Sequence, residues 1–149
     1  MVSWQTVVLS LGAAMLTAGV ALAIGILNNR TQRGLHLRTK QIDAASDFSS
    51  RLKGAGEALR HARTHPQSER ARQDAQHLVG ELSPLVGTIS LLFGMHTTVE
   101  QEASAAVHGL ERARDLLAEE DPAGWQAAMD ESVRRRAKFE EAARKAVGA

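Results

Sequence analysis

Glu57, His61 and His65 are the side chains whose types and spacing come closest to a chemical site in this sequence. Spacing of four residues places them on one face of a helix, and two imidazoles with a carboxylate are suitable metal ligands. The row would extend over about 12 Å along the helix axis, which is too far for all three to reach one ion. His65 also precedes Pro66, and the residue before a proline is pushed away from helical geometry. We therefore expect exposed histidines and no metal site.

Other combinations of residues give no catalytic pattern. The remaining histidines have no carboxylate at catalytic spacing, and the adjacent pairs Asp130–Glu131 and Glu140–Glu141 point to different angles around a helix. The sequence has no glycine-rich phosphate loop, no G-x-S-x-G elbow and no H-E-x-x-H motif. It has no cysteine, which excludes thiolate catalysis and disulfides. We expect a protein that is not an enzyme, with no cofactor and no small-molecule substrate.

The longest uncharged run is TVVLSLGAAMLTAGVALAIGIL, residues 6–27. As a helix it would be about 33 Å long, enough to cross a hydrocarbon core of about 30 Å. We predict a single transmembrane helix. Cleavage as a signal peptide is the alternative, because Ala21 and Ala23 resemble an A-x-A site, and it would leave a secreted helical protein. The segment lacks a basic n-region, and its apolar run is longer than the roughly 7–15 residues that are usual in signal peptides.

The charges that flank this run predict its orientation. No charged side chain precedes it, and basic residues near a span stay on the cytoplasmic side. We expect the N-terminus outside and the C-terminal domain in the cytoplasm of a single-pass membrane protein. The basic residues that follow the run would contact anionic lipid head groups, and each contact would stabilise membrane binding by about 1 kcal/mol. These cations are Arg30, Arg33, Arg38 and Lys40.

Small residues recur along one face of the predicted span. Helices associate in lipid where such residues let two backbones approach closely, so self-association through this face is expected. The face consists of Ala14, Ala18, Ala21 and Gly25.

The predicted organisation is a transmembrane anchor (1–28), a basic juxtamembrane linker (29–40) and a helical bundle (41–149). The bundle region is rich in alanine and arginine, which favours helix over strand. It carries 14 basic and 17 acidic side chains, a net charge of −3. Nucleic-acid binding depends on neutralising phosphates, so no nucleic-acid partner is expected.

Four amphipathic segments follow the anchor, at about 35–65, 66–95, 97–117 and 121–149, and the first of them overlaps the end of the linker. Apolar residues alternate in steps of three and four, the spacing of one helical face. Pro66 is predicted in the first turn of the second segment, and Pro84 should kink or restart that segment. Either Thr97 with Glu100 or Thr98 with Gln101 can form a capping box for the third segment, and Asp121 can cap the fourth. The predicted stripes are Ala45, Phe48, Leu52, Ala55, Leu59, Ala62; Ala71, Ala75, Leu78, Leu82, Leu85, Ile89, Leu92; Val99, Ala103, Ala106, Leu110, Ala113, Leu117; and Trp125, Met129, Val133, Phe139, Ala143.

These segments predict an all-α fold: one N-terminal transmembrane helix, then an antiparallel up-down bundle of about four helices. Basic residues dominate 51–72 and acidic residues dominate 81–131, so the first and third bundle helices are expected to attract, within one chain or between two.

The run LSPLVGTISLLFGM, residues 82–95, is uncharged and too short for a second span. A buried helix is the first interpretation. The alternative is a re-entrant segment or a patch for a partner, formed by Leu85, Ile89, Leu92 and Phe93.

The span, the basic exit, the run from Leu85 to Phe93 and the F-E-E-A-A-R sequence at 139–144 together resemble single-pass bacterial membrane proteins of uncharacterised function that carry a short helical domain rich in alanine and arginine. The resemblance implies membrane attachment and a helical domain, and it implies no activity.

Two functions are compatible with these patterns. The first is a non-catalytic scaffold or adaptor that presents its bundle to a protein partner at the membrane. The second is a sensor or regulator in which a helix shift passes through the membrane segment, with Gly34 and Pro84 as hinges.

Overall fold

The computed structural model describes the backbone of residues 4–117, 119 and 121–148, and the side chains of these residues from 32 onward. The chain divides into two compact units, Met1–Arg38 and Thr39–Ala149. All regular secondary structure in the described residues is helical, which confirms the all-α prediction.

Five helices account for this structure. They are α1 (Trp4–Thr64), α2 (Glu69–Gly80), α3 (Leu82–Phe93), α4 (Thr98–Asp115) and α5 (Pro122–Gly148). The predicted second segment is therefore two helices, separated at Glu81.

The predicted transmembrane segment lies on residues whose side chains are outside the described part of the chain. The same holds for its small-residue face, Ala14, Ala18, Ala21 and Gly25, and for Arg30. Among the residues that the structure does describe, we find no helix with the length and apolar character needed to cross a membrane.

In the unit Thr39–Ala149, α1 and α5 run antiparallel. The ring of Phe48 contacts that of Phe139 edge-on, with centroids 4.9 Å apart. Further along α1, Gly56 lies beside Met129, and the guanidinium of Arg63 lies 5.4 Å from the centroid of the Trp125 ring. Residue numbers rise along α1 as they fall along α5, as expected for the first and last of four segments in an up-down bundle, with α2 and α3 together forming the second segment.

The bundle core is one cluster of buried apolar side chains from all five helices. The stripe predicted for α1 is buried from Phe48 to Ala62, and the stripe predicted for α4 is buried from Val99 to Ala113. Two predicted core positions are wrong. Leu78 is 37% exposed and Val133 is 44% exposed, whereas Val79 and Ser132 occupy the buried positions beside them. Successive residues are rotated by about 100° around the helix axis, so Leu78 and Val133 face solvent when Val79 and Ser132 face the core.

Pro84 explains the division between α2 and α3. Its ring would clash with the carbonyl of Gly80, four residues earlier, and its nitrogen cannot donate to that carbonyl. Accordingly α2 ends at Gly80, and Pro84 lies in the first turn of α3, a position that proline tolerates. This restart was one of the two outcomes predicted.

The predicted caps of α4 and α5 are confirmed. The Thr97 side chain accepts a hydrogen bond from the backbone N–H of Glu100 at 3.3 Å. The Asp121 carboxylate accepts from the N–H of Gly124 at 2.9 Å. Each side chain satisfies a donor that would otherwise lack a partner at the start of a helix.

The position predicted for Pro66 is wrong. α2 begins at Glu69, and Ser68 is its N-cap, accepting from the N–H of Ala71 at 3.2 Å. A serine side chain can satisfy a first-turn donor, which proline cannot do, so the helix begins after Ser68.

α4 and α5 approach each other closely at Gly109. A Cβ at this position would lie 2.9 Å from Cβ and 3.0 Å from the backbone nitrogen of Ser132. The Ser132 hydroxyl donates to the carbonyl of Ala106 at 2.9 Å, which satisfies a buried polar group at the crossing. The absence of a side chain at Gly109 thus sets the spacing of the two helices.

Replacing Gly109 with alanine should therefore destabilise the bundle despite the better helix propensity of alanine. The new methyl group would meet backbone atoms of α5, and overpacking of this kind costs about 1–3 kcal/mol. Urea unfolding followed by Trp125 fluorescence in a Trp4→Phe background measures the effect, because the chain contains two tryptophans.

Gly54→Ala is the matched control. It also adds a methyl to a helical glycine, but nothing lies within 4 Å of the new atom, so we expect a gain of about 0.5–1 kcal/mol. Equal effects of the two substitutions would contradict the close crossing at Gly109.

Candidate functional site

The residues predicted as a partner patch contribute mostly to the bundle. Ile89 is buried, and Leu85 and Phe93 are half-buried against the core. Leu92 is also half-buried, and its carbonyl accepts a hydrogen bond from the Gln41 side chain at 2.7 Å. This stripe continues the apolar face of α2, and it ties α3 to the bundle.

The opposite side of α3 is exposed and uncharged. Leu91 is 88% exposed and Met95 is 72% exposed, the two highest values among the large apolar residues of the described chain. Pro84 and Thr88 are exposed in the same helical row as Leu91, and Met95 lies just beyond the end of the helix. We call Pro84, Thr88, Leu91 and Met95 the α3 patch.

The turn after α3 holds Met95 outside the bundle. Gly94 has φ of 95° and His96 has φ of 60°, both in the left-handed region. A glycine adopts such an angle without strain and ends the helix there. The uncharged run predicted an apolar surface, but it did not distinguish the inward row from the outward row, since both consist of uncharged residues.

A second feature is a groove of about 680 Å³ along the seam between α1 and α5. It lies wholly within the unit Thr39–Ala149. Volumes of this size are typical of small-ligand sites. Sequence reasoning missed this groove, because its lining comes from residues about a hundred positions apart in the sequence, and only the helix register brings them together.

Of the predicted head-group cations, Arg33, Arg38 and Lys40 are exposed. They lie on α1, on either side of the boundary between the two units. Arg30, the fourth, lies outside the residues whose side chains are described.

The row of Glu57, His61 and His65 does not converge. The Glu57 carboxylate lies 3.8 Å from the Lys53 ammonium, and the two imidazoles contact each other with ring centroids 4.3 Å apart. Across the described residues, no group of three or more histidine and acidic side chains is arranged to hold a metal ion.

The predicted attraction between the basic first and acidic third bundle helices stays a prediction, and two ion pairs join separate parts of the bundle in the described residues. Arg51 of α1 lies 3.8 Å from Glu81, between α2 and α3. Arg135 of α5 lies 3.1 Å from Glu102 of α4 and 2.5 Å from Glu131. The cation that faces the acidic α4 here is therefore one from the arginine run of α5.

Glu140 and Glu141 differ in their surroundings, as expected for adjacent helical residues. Glu140 accepts a hydrogen bond from the Ser49 hydroxyl across the α1–α5 seam. Glu141 lies 2.6 Å from the Lys145 ammonium, and the hydrogen bond and charge of that lysine lower the pKa of Glu141. Two carboxylates in separate environments do not form an acid–base pair.

No protein-family model, no curated protein and no solved structure matches this chain.

We expect a measurable coupling between Glu102 and Arg135, because the Glu102 side chain is only 14% exposed and the pair joins two helices. A double-mutant cycle with Glu102→Gln and Arg135→Gln should give a coupling free energy of about 1 kcal/mol from urea unfolding. The exposed pair Asp47–Arg51 is the control, with an expected coupling below about 0.5 kcal/mol. Coupling no larger than in the control would mean that the pair does not connect α4 and α5 energetically.

Proposed function

We propose that this protein is a membrane-anchored, non-catalytic helical scaffold that presents its bundle to a protein partner. The observation that carries the proposal is the α3 patch, where Leu91 and Met95 are exposed on an uncharged surface although the core of the same unit is well packed.

The anchor in this proposal is the uncharged run at 6–27, with the basic linker at 29–40 and the bundle at 41–149. The excess of cations after the run supports an N-terminus outside and a bundle in the cytoplasm. Arg30, Arg33, Arg38 and Lys40 would contact anionic lipid. The face of Ala14, Ala18, Ala21 and Gly25 would allow two anchors to associate.

The α3 patch is suited to an apolar protein surface. Burial of apolar area stabilises a complex by about 25 cal/mol per Å², and Leu91 and Met95 are available without rearrangement of the core. Methionine adapts its shape to a partner, and the patch contains no charge that would have to be desolvated.

Site-specific photocrosslinking in native membranes tests the patch. A benzophenone amino acid at Met95 should give a discrete adduct, and the added substitution Leu91→Glu should abolish it, because a charge in the contact would lose its hydration. Val133→Glu is the matched control, since Val133 is also an exposed apolar residue but lies on α5. The adduct should persist in that variant.

The proposal is contradicted if the Met95 probe yields no adduct, or if its adducts are equally affected by Leu91→Glu and Val133→Glu. A probe at Gln73, an exposed polar position on α2, reports adducts that arise from random collision.

Membrane orientation gives a separate prediction. Because the chain has no cysteine, one introduced cysteine is a unique reporter. A membrane-impermeant maleimide should label Ser3→Cys in intact cells, and should label Gln73→Cys only after permeabilisation. Labelling of Gln73→Cys in intact cells would refute the proposed orientation, as would release of the full-length chain by alkaline carbonate.

A further inference from the structure

The groove between α1 and α5 has a defined register. Ser49 donates to Glu140, and residue numbers rise along α1 as they fall along α5. Counting outward from that hydrogen bond places Ile42 level with Val147, and Lys53 level with Arg136. All four residues line the groove. From Ile42 to Lys53 the groove extends over about 17 Å of helix.

The two ends of the groove differ in polarity. Ile42, Ala45, Ala143 and Val147 supply aliphatic surface at one end, where Arg144 also lines the groove. At the other end the lining consists of Ser50, Lys53, Arg136 and Glu140. Ile42 is 53% exposed, so its aliphatic side chain is available to a ligand in the groove.

The charges of the groove favour an anion. Its lining contains three cations, Lys53, Arg136 and Arg144, and one carboxylate, Glu140, so the net charge is +2. Lys53 also lies 3.8 Å from Glu57, but both side chains are more than half exposed, and such pairs interact weakly.

Arg136 has an unused hydrogen-bond donor. Its Nε is buried and has no hydrogen-bond partner in the described chain, although Glu140 Oε1 lies 3.5 Å away as an ion pair. A separation of 3.5 Å is too long for a normal N–H···O bond. The Arg136 side chain as a whole is 29% exposed and lines the groove, so its charge is accessible to an anion there.

We propose that the groove binds a single-chain amphiphile with an anionic head group, of the long-chain fatty acid class. The carboxylate lies between Lys53 and Arg136 and accepts from Ser50, and the acyl chain extends over Ala45 and Ala143 to Ile42 and Val147. Binding is non-covalent. This site lies on a different helix pair from the α3 patch, so it does not depend on partner binding, although its test in the membrane rests on the proposed anchor; release by alkaline carbonate reports failure of the anchor separately.

Photolabelling of the full-length chain in its native membrane tests the proposal. The probe is a hexadecanoic acid that carries a diazirine near the end of its chain, and the labelled peptides are identified by mass spectrometry. Label should concentrate at 42–46 and 143–148. Excess dodecanoate should suppress it at least about tenfold more effectively than dodecanol or dodecyltrimethylammonium, a ratio that corresponds to 1.4 kcal/mol.

Two matched pairs of variants separate specific binding from general partitioning. Ser46→Trp fills the groove at an exposed position, and Gln73→Trp adds the same side chain on α2. Lys53→Gln removes the head-group charge, and Lys138→Gln removes a charge on α5 that does not line the groove. Labelling should fall about tenfold in Ser46→Trp and severalfold in Lys53→Gln, and should stay unchanged in both controls.

Three outcomes would overturn the proposal. The first is label spread evenly over exposed residues. The second is equal competition by the anionic, neutral and cationic amphiphiles. The third is labelling in Ser46→Trp that equals labelling in Gln73→Trp.

Discussion

The contact between Phe48 and Phe139 is the interaction on which the rest of the bundle depends. These rings are almost fully buried and meet edge-on where the first and last helices of the bundle pass each other. Edge-to-face rings are attractive beyond the area that they bury, and aromatic side chains dominate the energetics of small cores. With α1 held against α5, the stripes of all five helices face one interior.

Alanine determines how close the helices come. Among the residues whose side chains are described, nine of the buried apolar ones are alanines, from Ala55 on α1 to Ala143 on α5. Small side chains allow close packing but bury little area each, so a large share of the apolar contact falls to a few bulky residues such as Leu59, Leu110 and Met129. The glycine at 109 brings α4 and α5 closer still, and the Ser132 hydroxyl is accommodated there by its bond to Ala106.

Both candidate surfaces follow from this narrow core. Because each helix buries only a narrow row of residues, some apolar residues beside that row remain exposed to solvent. Leu91, Met95 and Ile42 are three of these. Pro84 adds to the effect, because it restarts the helix at Leu82 and directs one row of α3 inward and the other outward. The groove exists because the α1–α5 seam is filled at Phe139 but lined by small residues, Ser46 and Ala143, further along.

The sequence was sufficient for the helical class, the core stripes of α1 and α4, the caps at Thr97 and Asp121, and the break near Pro84. These features are set by local spacing and by single-residue chemistry. It was insufficient where two helices must be positioned together. Leu78 and Val133 are apolar and lie next to the buried stripe of their helices. Only the packing of the neighbouring helices determines that Val79 and Ser132 are buried in their place. Likewise, the partner of Arg135 and the lining of the groove depend on register, which no local pattern encodes.

Pulsed electron paramagnetic resonance distances test the α1–α5 seam most directly, since the chain has no cysteine that would take up label at other sites. Spin labels at Asp43 and Ala146, both exposed, lie at one level of the antiparallel register. Labels at Asp43 and Ala123 are separated by about 35 Å of helix. The account predicts a short, narrow distance distribution for the first pair and a long one for the second. A long distance between Asp43 and Ala146, or a short one between Asp43 and Ala123, would contradict the antiparallel seam, and the groove with it.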